Sequence, residues 1–204
     1  MSDQAAPSPG PANSNPSGER GPVLTGQRLR IRPIEWDDLG HVCRWWNDAR
    51  VMREVRAERF SVTLEQLQSE YWPAWRDQKP EGPGRCQCII EFPIRAGAQP
   101  IGEIGWSLEQ GTEDSGGEVH VHIKVCEPSL WGQGYGREAL RLLVSYLSDH
   151  PTLSAYPIIG EPGDWNARCH RMLEQCGFVK VGAGRFTGNA WCEPCAFIRY
   201  RHGR

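Results

Sequence analysis

No stretch of this 204-residue chain is apolar for long enough to cross a bilayer as a helix, and no membrane partner is expected. Its first residues lack the basic segment and apolar run of a secretory leader, so a cytoplasmic location is expected. Charge of one sign is missing too. Twenty-three Lys and Arg stand against 25 Asp and Glu, a formal net charge of −2, and nothing electrostatic favours nucleic acid as a partner. No internal repeat is visible. The eight cysteines lack the tight spacing of a secreted disulfide framework and read as free thiols. Cys192 and Cys195 could supply half of a zinc site with Cys86 and Cys88, but a single residue between the second pair suits a structural zinc poorly, so no metal is expected.

What is present describes one globular domain behind a tail. Hydrophobic residues make up 39% and charged residues 24%, enough for a real core. Residues 1–22 are rich in Pro, Ser, Gly and Asn; with almost no large apolar residue to offset its ordering entropy, the segment reads as a disordered tail. Residues 23–204 then form the domain. Nine Trp outnumber five Phe and five Tyr. Such large amphipathic rings can line a site as well as fill a core.

Residues 28–34 (RLRIRPI) alternate basic and aliphatic side chains, a half-buried strand stopped by Pro33. Glu35 or Asp37 can start a helix through Leu39, Val42, Trp45 and Trp46. Thr63 with Gln66 reads as a capping box opening a second helix through Leu64, Leu67 and Tyr71. Strands are expected at 86–92, 99–107 and 118–125, the last (EVHVHIKV) with the cleanest period of two in the chain. There Val119, Val121, Ile123 and Val125 share one face, and Glu118, His120, His122 and Lys124 the other. A helix at 137–149, a strand at 155–160, a helix at 167–175 and strands at 178–181 and 191–199 complete a mixed α/β (α+β) order with one strand–turn–helix unit in its middle.

That unit, VCEPSLWGQGYGREAL (125–140), carries the chemistry. Gly132, Gly134 and Gly136 permit positive φ and close backbone approach just where a helix begins, so N–H groups converge on one point and suit a pyrophosphate. No Lys-Ser/Thr follows, which excludes a P-loop, and the third glycine of the dinucleotide fingerprint is absent. A plain tight turn would use the same glycines.

With its context, the stretch resembles the acetyl-CoA loop of the GNAT acyltransferase superfamily, in which Arg/Gln-x-x-Gly-x-Gly/Ala follows a strand. Gly134 and Gly136 match the glycines, and Trp131 replaces the basic or amide residue, as in the branch of ribosomal-protein N-acetyltransferases. Asn166, eleven residues before Gly177-Phe178, is similar to the family's "Asn … Gly-Phe" helix, and residues 28–39 (RLRIRPIEWDDL) resemble its first strand and helix. The resemblance spans about residues 25–200. It implies a mostly antiparallel sheet, splayed in the middle, with helices on both faces. It implies acetyl-CoA or another acyl-CoA as donor, with pantetheine along Ile123 and Val125 as an extra strand. Trp131, Gly132, Gln133, Gly134, Tyr135, Gly136 and Arg137 would hold the pyrophosphate, and Asn166 would touch the cofactor.

An amine with a pKa of ~10 is mostly ammonium near neutral pH, so acyl transfer to it needs a base, and histidine, titrating near ~6.5, is the default. His120 and His122 precede the loop. By resemblance to the lysine N-acyltransferases of siderophore assembly, His122 takes the catalytic place and Asp164 supplies their second functional group, with Glu161 the alternative. Aminoglycoside N-acetyltransferases place an Asp where His122 falls. Other readings stand beside these. The histidines could be surface residues; Glu118 could be the base with His122 orienting substrate; Asp164 could cap the next helix. A covalent route through Cys126 would need an activating His. Leu173 stands where many relatives carry a Tyr acid, so the leaving thiolate is protonated by another group, by water, or not at all. His120, Trp45, Trp46 and Trp72 are candidate acceptor-side residues, with core packing the other reading for the tryptophans, as for Trp75. The expected reaction is transfer to the amine of a small molecule, in natural-product or siderophore biosynthesis or antibiotic modification, by a monomer or homodimer. Donation from an acyl carrier protein, and an acyl-CoA-binding module without catalysis, are the alternatives.

Overall fold

The computed structural model describes residues 20–55, 60–82, 84–92, 97–110, 116–188 and 193–203. Strands β1 (Leu24–Thr25), β2 (Arg30–Pro33), β3 (Arg85–Glu91), β4 (Pro100–Glu109), β5 (Glu118–Val125), β6 (Ile158–Gly160), β7 (Phe178–Phe186) and β8 (Cys195–His202) form one sheet in the order β1-β2-β3-β4-β5-β6-β8-β7. Neighbours are antiparallel except β5 and β6, which the helix α5 (Tyr135–Asp149) joins by a parallel crossover.

The alternation in each strand feeds two separate cores. On one face, α5 buries Ala139, Leu140, Leu143 and Leu147 against Cys86, Cys88, Ile90, Ile104, Trp106 and Val119, joined by Leu173 of α6 (Ala167–Gln175). Each fully buried Leu there contributes about 1.5–3 kcal/mol. On the other face lie α1 (Leu39–Trp46), α2 (Ala49–Arg53), α3 (Leu64–Gln66) and α4 (Trp72–Arg76), which bury Leu39, Val42, Trp45, Trp46, Leu67, Trp72 and Trp75 over Ile34 and Ile89. These tryptophans are core side chains, between 0% and 6% exposed.

Local signals placed the helix ends. Thr63 Oγ1 accepts the Gln66 N–H at 3.1 Å and Gln66 Oε1 accepts the Thr63 N–H at 2.9 Å, closing the capping box. Between α3 and α4 the helix widens to a π turn over Leu67–Tyr71, where the Trp72 N–H reaches back to the Leu67 carbonyl. Pro73, the next residue, has no N–H to donate and crowds the preceding turn, and a local π turn is one way a helix accommodates that. β6 is shorter than the strand expected at 155–160, because Leu153–Ala155 forms a 3-10 turn. β7 is longer, following β8 to Phe186.

The tail expected at 1–22 falls outside the described residues up to residue 19. Arg20, assigned to that tail, is 8% exposed: its guanidinium donates to the Ile34 carbonyl at 2.5 Å and lies 5.4 Å from the centre of the Trp72 ring. Composition gives no sign of this, because Arg20 is held by a hydrogen bond and a cation–π contact and not by apolar burial of its own. Among the described residues no helix is long and apolar enough to cross a membrane.

Candidate active site

The site begins where β5 and β6 part. They pair only at Val119–Ile158 and His120–Ile159, after which β5 continues alone on that side. The Cys126 N–H donates to Ile101 of β4 at 2.8 Å and the Val119 N–H to Pro157 at 2.9 Å. By the alternation of an antiparallel ladder, the main-chain groups of Ile123 and Val125 therefore face away from β4, into the cleft. A cavity of about 560 Å³ opens there, bounded by Ile123–Val125, the turn 130–137, Asn166 and Met172, and by Val51, Glu54 and Val55.

At the far end the glycine-rich turn enters α5. Gly132 and Gly134 have φ of +79° and +85°, the left-handed region that β-carbon sterics disfavour. Gly134 is the N-cap, and the first intrahelical bond runs from the Glu138 N–H to its carbonyl at 3.0 Å. The N–H groups of Tyr135, Gly136 and Arg137 thus have no acceptor within the helix and point toward the cavity mouth. Arg28 pins this turn: its Nε donates to Glu138 at 2.8 Å, its Nη1 to the Gln133 carbonyl at 3.0 Å, and its guanidinium lies 4.5 Å from the centre of the Tyr135 ring. Arg137, Arg168 and Arg171 line the same cavity, so a chain of net charge −2 presents a local cationic rim. An extended amide edge ending in bare helix N–H groups and arginines fits a pantetheine arm and its pyrophosphate.

Trp131, placed in the pyrophosphate loop by sequence, has a different commitment. Its Nε1 donates to the Val125 carbonyl at 2.7 Å, and Arg168 lies 4.5 Å from the centre of its ring while pairing with Glu54 at 3.0 Å. It ties the turn to the end of β5. Asn166 lines the cavity and also caps α6, its Oδ1 accepting the Cys169 N–H at 3.0 Å and its Nδ2 donating to the Glu54 carbonyl at 3.3 Å. The cap read as a possibility at Asp164 is therefore Asn166; Asp164 is exposed, and its N–H donates to Ala196 at 3.1 Å.

His122 lies opposite Gly105 and points into the α1–α4 side of the sheet. Its Nε2 is 3.0 Å from Gln87 Oε1; Gln87 Nε2 donates to Glu103 Oε2 at 2.9 Å, and Glu103 Oε1 accepts Trp46 Nε1 at 3.0 Å and pairs with Lys124. Burial, reinforced by the positive charges of Arg85 and Lys124, holds His122 well below its ordinary titration range. The ring is therefore neutral near pH 7, with one nitrogen lone pair free, and is a weaker base than a free imidazole.

The other candidates on β5 are engaged elsewhere. His120 Nε2 is 3.2 Å from Glu118 and 3.5 Å from Glu109, and its Nδ1 is 3.6 Å from Glu161. Arg199 bridges Glu118 and Glu161. Its hydrogen bond, aided by His120, holds the Glu118 carboxyl below the usual range, which weakens Glu118 as a base. Glu161, not Asp164, is thus the acidic residue brought to this group. Cys126 is buried, and burial together with the Glu103 charge holds its thiol far above its ordinary pKa, so no thiolate forms. Leu173 is 3% exposed and belongs to the core. Cys86 and Cys88 face the core as well, while Cys192 lies outside the described residues.

The sequence pattern places Lys124 on the His122 face of β5 but assigns it no role, and Gln87, Glu103, Arg28 and Arg168 are not expected from it at the site. Only Glu103, a lone acid within the apolar run IGEIGW, gave a signal in the sequence.

The family model for the acetyltransferase (GNAT) domain matches residues 28–179, and the chain belongs to that family of acyl-CoA-dependent N-acetyltransferases. Its fold is similar to a GNAT-family acetyltransferase from Bacillus anthracis (16% identity over 88% of this chain and 96% of that one, TM-score 0.63). It is also similar to the spermidine N-acetyltransferase of Vibrio cholerae solved with CoA and spermine (18%, 85% and 94%, TM-score 0.65). The third is AAC(6')-Ib with ribostamycin and coenzyme A (22%, 85% and 93%, TM-score 0.64). No curated protein sequence matches it.

Proposed function

We propose that this acetyltransferase acts on the amine of a small cationic molecule, with His122 as general base and acetyl-CoA or another acyl-CoA as donor. One observation supports the base assignment above the others. On the face of β5 turned toward the acceptor-side helices, His122 is held neutral beside Ile123, while Glu118 is tied to Arg199. A neutral imidazole paired with no charged group can take the amine's proton as the nitrogen attacks; a carboxylate already held by Arg199 takes it poorly.

The donor supplies an activated acyl carbon. Ile123 offers main-chain groups to the donor's pantetheine arm; the Val125 carbonyl is taken by Trp131 Nε1, and the Val125 N–H faces the cleft as a donor to the oxygen that gains charge. Gly132, Gln133, Gly134, Tyr135, Gly136 and Arg137 surround the anionic end, with Asn166 on the opposite wall. Glu109, Glu118 and Glu161 gather round His120, and with the one charge of Arg199 set against them they still leave a negative patch that favours a cationic acceptor. The structural neighbours solved with spermine and with ribostamycin point to the same class of polyamine or amino sugar. Natural-product or siderophore biosynthesis and antibiotic modification both offer such amines.

Mass spectrometry of acetyl-CoA reactions with diamines, lysine derivatives, hydroxylamines and aminoglycosides tests this. Acetylated product from one class, reduced about 10²–10⁴-fold in His122→Ala, is the expected result. Product formed equally by His122→Ala would overturn the base. Tight CoA binding with no product would favour carrier-protein donation or a binding module.

A further inference from the structure

The polar chain behind His122 has only one consistent arrangement of protons. An ionised Glu103 can only accept, and it takes Trp46 Nε1 at 3.0 Å and Lys124 Nζ on Oε1. Gln87 must then present its NH₂ to Glu103 Oε2, 2.9 Å away, because its carbonyl oxygen there would oppose a carboxylate. The Gln87 carbonyl oxygen therefore faces His122 Nε2 at 3.0 Å, and that contact is a hydrogen bond only when Nε2 carries the proton. The Gln87 main chain is fixed as well: its N–H donates to Gln78 Oε1 at 2.8 Å and its carbonyl accepts Gln78 Nε2 at 2.9 Å. Gln87 and Glu103 are each 1% exposed and Gln78 is 7% exposed, so water does not compete for these groups.

We propose that Gln87, oriented by the buried Glu103 carboxylate, is a positioning residue that fixes His122 as its Nε2–H tautomer and leaves Nδ1 bare to receive the acceptor's proton. The proposal rests on the reading of His122 as the base. It adds a link between a carboxylate and a histidine through a neutral amide, so the acid sets the tautomer without placing its charge against the ring. The charged and titratable groups around the imidazole are Arg85 on β3, Glu103 on β4 and Lys124 on β5, with His120 and Glu118 further along the same face of β5.

The test uses the full chain labelled with ¹⁵N-histidine, long-range ¹⁵N–¹H spectra and pH–rate profiles. Wild type should show His122 protonated at Nε2 alone. Gln87→Leu should populate both tautomers and lower kcat by about tenfold, with KM for acetyl-CoA unchanged. The exchange variant Gln87→Glu/Glu103→Gln keeps every hydrogen bond. Its amide at position 103 can accept from Trp46 and Lys124 and donate to the carboxylate now at position 87. It should keep the tautomer and move the acid limb of kcat/KM upward, because a carboxylate now adjoins the ring. A purely structural role for Gln87 would leave the His122 tautomer unchanged in Gln87→Leu.

A proton on Nδ1 in wild type overturns the proposal, as does an unmoved acid limb in the exchange variant. So does an unimpaired Gln87→Leu alongside an inactive His122→Ala. Turnover that survives His122→Ala removes the base on which the proposal rests, and the two failures are thereby told apart.

Discussion

A Cβ built on Gly105 would lie 2.7 Å from the His122 ring and run into the Cys86 carbonyl, so the imidazole occupies space that a side chain on β4 would otherwise fill. That enclosure has a thermodynamic consequence. His122 titrates lower in the folded chain than the ~6.5 of an unfolded one, so between those values the unfolded state binds more protons. Its contribution to stability is fully present above about pH 6.5 and is lost progressively as pH falls toward the folded value. Urea unfolding of wild type and His122→Gln across that window should therefore show a steeper acid loss in wild type. Parallel curves would mean that the ring is not desolvated. Trp131 makes a second test at this scale. Trp131→Phe keeps the ring under Arg168 but removes the bond to the Val125 carbonyl, and should cost about 0.5–1.5 kcal/mol in the same measurement.

At the scale of elements, the entry to α5 depends on one backbone conformation. Gly134 at φ +85° tolerates no Cβ without strain, and Gly134→Ala should cost about 1–2 kcal/mol and raise KM for acetyl-CoA by tilting the N–H groups of Tyr135 and Gly136. Gly40, inside α1 with open space around it and ordinary φ, is the counter-case: Gly40→Ala should stabilise by about 0.4–1 kcal/mol and leave KM unchanged. Thermal unfolding and initial rates check both. The same turn shows what local patterning can reveal. β5 ends where its period of two ends, and the capping box at Thr63 sits where Ser/Thr-x-x-Gln predicts. α5 begins at Tyr135, two residues before the expected 137, because the left-handed cap at Gly134 brings Tyr135 into the first turn. Gln87 and Glu103 were not legible as neighbours of His122. Their meeting depends on the register of three strands, which pairs Gln87 with Gly105 and Gly105 with His122 across gaps the sequence leaves open. The tryptophans were ambiguous for a related reason: their burial depends on which helices cover them, not on their spacing.

Across the whole molecule, the cavity draws its walls from both layers: β5, α5 and α6 from the core under α5, and Val51, Glu54 and Val55 from the layer of α1–α4. In the structure those layers meet over the cavity through the Glu54–Arg168 pair and the Asn166 bond to the Glu54 carbonyl. Arg168 is 52% exposed, so the pair contributes at most about 1 kcal/mol. A ligand filling the cavity touches both walls and should couple them far more strongly. At a concentration 100 times its Kd, coenzyme A adds about 2.7 kcal/mol to unfolding, and for a chain of this size that raises Tm by about 5–10 °C. Gly134→Ala should shrink the shift because it disturbs the anionic end of the cavity. His122→Ala should preserve it while losing turnover, since His122 is not among the residues that line the cavity. A His122→Ala protein that loses both would place the histidine in cofactor binding instead of proton transfer. Calorimetry of the same variants with coenzyme A, run beside the rates, separates the two roles in one set of proteins.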